Sequence, residues 1–179
     1  IQFYTKCVEE DSLLDKGWIA ITDFYYKAKQ FQKALYYIEK AINIDGENVN
    51  YWKRYAKINN RLNLFEEAEV GYRKALELGN YELESWITRG DLLINLGEYE
   101  PAINNFNQAL EFYPEHVEIE YRLAGCYFSL GENGKGEFHL KNGLKSEAEY
   151  VMIIEELFPS VFAMKTVQEI INKHKNPSH

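Results

Sequence analysis

The chain has 179 residues, of which 46% are hydrophobic and 27% charged, with a formal net charge of −8. That composition belongs to a folded domain rather than a disordered one, and the acidity argues against a dedicated nucleic-acid binder, which needs a concentrated positive surface. The longest apolar stretches, near residues 92–94 and 151–154, fall far short of the roughly 20 residues that span a bilayer, so no membrane span is expected.

Four prolines and eleven glycines punctuate a chain rich in Leu, Glu, Lys, Ala and Ile, which favours helices over sheet. Trp18, Trp52 and Trp86 are spaced by 34 residues, and Ala34, Ala68 and Ala102 keep the same step. So do Ala41, Ala75 and Ala109, and the aromatics Phe31, Phe65 and Tyr99. The expected helices, in chain order, cover 15–28, 31–43, 49–62, 65–78, 83–96, 99–112, 117–130 and 134–145. Small residues at Ala56, Gly90 and Ala124 predict close approach of the two helices within a unit. Tyr25, Phe31, Phe65 and Tyr99 are expected to fill the spaces between helices as core.

Within a unit the order is Trp18, Ile21, Thr22, Tyr25, then Ala34, Ile38 and Ala41. The third unit reads Trp86, Gly90, Leu93, Ala102, Phe106, Ala109 and Pro114. This pattern resembles the tetratricopeptide repeat, in which a Trp-Leu-Gly-Tyr helix precedes an Ala-Phe-Ala helix and a closing Pro. The resemblance implies an all-α fold, a right-handed α-solenoid of antiparallel helix pairs. The repeats are placed at 15–48, 49–82, 83–116 and 117–150. The fourth is degenerate, with Glu120 in the Trp column and Gly136 and Gly143 in the Ala columns.

The ends carry further expectations. Residues 1–14 align, at the same step, with the second half of the helix pair that follows, Cys7 falling on Ala41. They read as half of a truncated preceding repeat and the chain as part of a longer array. At the other end Pro159 should stop a helix near Leu157. Residues 151–179 read as capping helices and tail, with Val161 to Lys173 as one amphipathic helix carrying Val161, Met164, Val167, Ile170 and Ile171 on one side. The string FPSV followed by VQEIINKHK resembles the endings of tetratricopeptide proteins of Bacteroidetes-type bacteria.

No catalytic constellation is found. Gly131, Gly134 and Gly136 in LGENGKG lack the preceding strand and the spacing of a phosphate loop and are assigned to a turn between helices. His116, His139, His174 and His179 lack metal-ligand spacing and read as surface residues, and Cys7 and Cys126 read as small core residues without zinc or redox spacing. No metal, cofactor or enzymatic activity is expected, and the compartment is left open with a lean to the cytoplasm.

What the family resemblance implies instead is a concave groove, lined by the first helix of each pair, that holds a partner protein or peptide. By register this face carries Lys53, Arg54, Lys57 and Arg61, then Ile87, Asp91 and Ile94, then Tyr121, Arg122 and Phe128. The cations are expected to steer an acidic segment, and Ile87, Ile94, Tyr121 and Phe128 to bury its apolar side chains. A carboxylate clamp found in the family is only partly matched: Lys53 and Arg122 fit, whereas Lys57, Asp91 and Glu118 do not. The reading is therefore a non-catalytic interaction scaffold. Its alternative is a docking or regulatory segment of a larger enzyme or secretion or assembly component. RNA binding through the cations of residues 53–61 is disfavoured by the overall acidity.

Overall fold

Helix-forming sequence alternates here with short breaks, and the backbone follows it. A computed structural model describes Lys6 and residues 15–175. The helices are α1 (Asp15–Lys27), α2 (Phe31–Ile44), α3 (Val49–Arg61), α4 (Phe65–Glu77), α5 (Leu83–Asn95), α6 (Tyr99–Phe112), α7 (Val117–Ser129) and α8 (Asn133–Ser146). A 3-10 turn at Ala148–Val151 leads to α9 (Met152–Leu157), α10 (Pro159–Phe162) and α11 (Lys165–Lys175). No strand occurs among the described residues. The first eight helices begin and end within about a residue of the expected boundaries. The half-repeat expected at residues 1–14, with Cys7, lies outside the described residues except for Lys6, as does His179.

Three-residue connections join α1 to α2, α3 to α4, α5 to α6 and α7 to α8, which leaves each pair antiparallel. Their middle residues Lys29, Asn63, Gly97 and Gly131 all have positive φ, between 57° and 77°. The next amide reaches back to close the helix: Gln30 N to Tyr25 O at 2.9 Å, Leu64 N to Asn59 O at 3.0 Å, Glu98 N to Leu93 O at 2.8 Å and Glu132 N to Tyr127 O at 2.9 Å. This is a Schellman closure repeated four times. The 34-residue period of the sequence is thus also a period of the backbone. Of the LGENGKG glycines only Gly131 sits in the turn; Gly134 and Gly136 lie inside α8, a correction to the expectation that all three belong to the connection.

The chain divides into two units, Ile1–Ser85 and Trp86–His179, the division falling inside α5. In the first unit α1 packs on α2, α2 on α3 and α3 on α4, around a core of Ala34, Ile38, Ala41, Tyr51 and Ile58. A Cβ on Gly71 of α4 would stand 2.8 Å from that of Ala56 on α3, so two small residues set that helix separation. In the second unit a Cβ on Gly90 of α5 would come within 2.1 Å of the Phe106 ring of α6; the ring occupies the space that glycine leaves. All six column alanines from Ala34 to Ala109 are fully buried.

The aromatic column is less buried than the sequence implied. Phe65 is 36% exposed and Tyr25, Phe31 and Tyr99 are half-buried. Tyr25 and Phe31 still pack against the core of the first unit, and Tyr25 stacks on Tyr37 at 5.3 Å while Tyr99 lies 6.3 Å from Phe158. The tail also differs in part. Helix α9 ends at Leu157 and Pro159 opens α10 at its first turn, where a missing N–H costs nothing. The single helix expected over Val161 to Lys173 is interrupted at Ala163 and Met164. Val161, Val167 and Ile171 are buried, Ile170 half-buried and Met164 exposed.

Candidate functional site

The cations of α3 follow from its sequence, VNYWKRYAKINNR. A helical repeat of 3.6 residues puts Lys53, Arg54, Lys57 and Arg61 along one side, while Tyr51, Ala56, Ile58 and Asn59 turn into the core. Asn48 caps the helix by accepting from the Asn50 amide at 3.2 Å. Each of the first three cations has an acidic partner. Arg54 donates to both oxygens of Asp23 at 2.9 and 3.2 Å, Lys53 reaches Glu82 at 2.5 Å and Lys57 reaches Glu84 at 3.1 Å. Arg61 is exposed and lies over the Phe31 ring at 5.8 Å. The hydrogen bonds of Arg54 to Asp23 raise its already high pKa, burial opposing, so its charge is permanent. Beside this row a small cavity of about 110 Å³ is lined by Thr22, Asp23, Tyr26, Arg54, Lys57 and Ile58.

The residues expected on α5 and α7 stand differently. Ile87 and Asp91 are half-buried, but Ile94 is 5% exposed, Phe128 3% and Tyr121 not at all. Tyr121, Phe128 and Ile94 are therefore core residues, not anchors for a partner, which corrects the register-based assignment. For Tyr121 and Phe128 the reason lies in α8 and the segment that follows it. A Cβ on Gly143 would meet the Tyr121 ring at 2.9 Å and one on Gly136 the Phe128 ring at 2.7 Å. The glycines that replace the column alanines make room for two large rings. The Tyr121 hydroxyl donates to the Glu147 carbonyl at 3.0 Å, and α9 and α10 pack on α7. Gly125 is closed by Phe158, whose ring carbon would lie 2.3 Å from an added Cβ.

Arg122 is likewise enclosed. Its guanidinium donates to both Asp91 oxygens at 2.7 and 3.0 Å and to the Glu118 carboxylate at 3.4 Å. Asp91 and Glu118, which fail the family's clamp, thus serve as the partners of Arg122.

At the column position where Trp is missing, Glu120 is buried with Oε2 2.8 Å from His139 Nδ1 and 3.4 Å from the Asn142 amide nitrogen. His139 stacks on Tyr127 at 5.3 Å. It is a half-buried packing residue rather than the surface histidine expected. Among the described residues no group of three His, Cys, Asp or Glu side chains gathers as metal ligands. Burial pushes the Cys126 thiol up to about 12 and the Tyr121 phenol to about 12; the thiol is a core group and a poor nucleophile.

In class, this is a protein of repeated helix pairs that pack through small residues at fixed positions and close through one recurring turn. The model of the tetratricopeptide repeat matches residues 83–116, the third of the helix pairs. It is 31% identical over 113 residues to a TPR repeat-containing protein of Methanocaldococcus jannaschii, covering 60% of this chain and 20% of that one. Its fold is similar to that of YrrB, a TPR protein with an unusual peptide-binding site, at a TM-score of 0.71, 16% identity and coverage of 98% and 93%. It is similar also to residues 41 to the end of MamA from Desulfovibrio magneticus RS-1, at 0.71, 15% identity and 90% of each chain. The chain spans about a fifth or less of the curated relatives it matches. Among the described residues no helix is long and apolar enough to cross a membrane.

Proposed function

We propose that the protein is a non-catalytic scaffold that docks an acidic segment of a partner polypeptide along α3. The observation that carries this reading is the row of Lys53, Arg54, Lys57 and Arg61 beside a cavity of about 110 Å³. Its three ion pairs are no obstacle, because the acidic partners Asp23, Glu82 and Glu84 are 43%, 59% and 66% exposed. Pairs of that kind are worth about 0–1 kcal/mol each, so a partner's carboxylates can replace them at little cost. Side-chain anchoring then falls to the half-buried Tyr26 at the cavity. YrrB, whose fold this chain shares, has a peptide-binding site, and that likeness supports a peptide as the occupant.

A second reading, a docking or regulatory segment within a larger enzyme or assembly component, is favoured by one fact: the chain is similar to only a part of each curated relative.

The test is capture from the source organism's lysate with the wild type and with a Lys53→Glu, Arg54→Glu, Arg61→Glu triple variant, the retained proteins being identified by mass spectrometry. Loss of the same acidic partner in the variant and at high salt is the expected result. Identical retained proteins for both would remove α3 from the site.

A further inference from the structure

The second unit holds a larger opening that the α3 reading does not use. A trough of about 460 Å³ runs between α8 and α11, a volume in the range of ligand sites. Its walls are helical rows: Glu137, Lys141 and Lys145 recur every four residues along α8, and Glu169, Lys173 and His174 lie along α11. Its floor is apolar, made by Leu144 and Ile170. Leu144 is 3% exposed and Ile170 half-buried.

The charges of the rim are unequal once pairing is counted. Glu137 is held by Lys141 at 2.5 Å and Glu169 by Lys165 at 3.7 Å. Lys145, Lys173 and His174 are exposed and have no carboxylate partner among the described residues. In a chain of net charge −8, the uncompensated charge of this trough is positive. Two helical walls, an apolar floor and a basic rim are the geometry that receives an amphipathic helix laid in a groove.

We infer that the trough between α8 and α11 docks an acidic amphipathic helix of a partner protein. The apolar side chains of that helix rest on Leu144 and Ile170, and its carboxylates meet Lys145 and Lys173. The surface uses no residue of α3, so it stands or falls separately from the proposal above.

The experiment titrates the whole chain, by fluorescence anisotropy, into a labelled peptide of about 14 residues with leucines at i, i+3, i+4 and i+7 flanked by glutamates. An isomer with lysine for every glutamate is the control. The wild type should bind the glutamate peptide and not the lysine isomer. Lys145→Glu with Lys173→Glu, both at exposed positions, should weaken the glutamate peptide by at least about tenfold and admit the lysine isomer. Ile170→Ser should weaken it at every salt concentration, whereas Lys53→Glu with Lys57→Glu should leave it unchanged. Circular dichroism checks that each variant keeps its helices. Failure of the wild type to bind, or equal binding by the Lys145 and Lys173 variant, overturns the inference. A loss that follows the α3 variant instead would return the acidic segment to α3.

Discussion

Asp23 with Arg54 in the first unit and Asp91 with Arg122 in the second occupy the same places in the repeat, 68 positions apart, twice the 34-residue period. They make the same two-pronged contact, at 2.9 and 3.2 Å in one and 2.7 and 3.0 Å in the other. Their surroundings differ. The Arg54 and Asp23 side chains are 37% and 43% exposed, those of Arg122 and Asp91 8% and 26%. Water competes for the first pair and largely does not for the second, whose helix α7 lies under α9 and α10. Repeat register sets the geometry of such a pair, and the layer laid over it sets its energy.

The strongest way to break the comparison is to lift that layer. Gly125→Leu must displace the Phe158 ring, and we expect a loss of about 3 kcal/mol or more in urea unfolding, together with exposure of Phe158 and weaker protection of α7 in hydrogen exchange. Unchanged stability would show that Phe158 does not seal this face. Next in size, Asp91→Ala should cost about 3 kcal/mol, because it leaves a buried guanidinium short of its main partner. Asp23→Ala should cost less than about 1 kcal/mol. Equal losses at the two sites would contradict the role given to burial.

Alkaline pH sharpens the contrast further, since both groups with folded values of about 12 lie on α7. Tyr121 rises from 10.0 and Cys126 from 9.0. A raised value means that the neutral form is favoured in the folded state. The stabilisation is thus fully present below about pH 9 and is lost as the pH climbs from there towards 12. Tyr121→Phe should flatten the upper part of that decline, and Cys126 should resist thiol reagents in the folded chain at pH 8 and react on unfolding. A decline unaltered in Tyr121→Phe would exclude the phenol as its source.

The smallest expected effect concerns the recurring turn. Lys29 holds a left-handed φ of 57° where Gly97 sits at 77°. Lys29→Gly should raise stability by up to about 1 kcal/mol and Gly97→Ala lower it by about 1 kcal/mol, read as opposite shifts in melting temperature. A loss in Lys29→Gly would mean that the Lys29 side chain makes contacts that outweigh its backbone strain.

Most of the architecture was legible because it repeats. Trp18, Trp52 and Trp86 announce the period, Ala34, Ala68 and Ala102 mark the close contacts, and eight helix boundaries follow from them. The cationic row of α3 was legible for the same reason, since helical spacing alone aligns Lys53, Arg54, Lys57 and Arg61. The left-handed turn at Lys29 was not, because its φ of 57° is imposed by the closure of the helix pair and lysine carries no preference for it, unlike Asn63, Gly97 and Gly131 at the same place. Nor was the helix break at Ala163 and Met164 visible in an amphipathic pattern that runs through it.

The sequence by itself determined the period, the helices and the face of each helix on which a residue stands, all of which depend on neighbours within a few dozen positions. Only the tertiary structure decided which of those faces stays open to a partner. Tyr121 and Arg122 share their register with Lys53 and Arg54 of the open row, yet both are buried, the Tyr121 ring packing on Gly143 and the face beside it closed by Phe158 over Gly125. Gly143 and Phe158 belong to another helix and to the tail. The physical reason is that burial is a property of what is packed on top, and periodicity within one helix carries no information about the next layer.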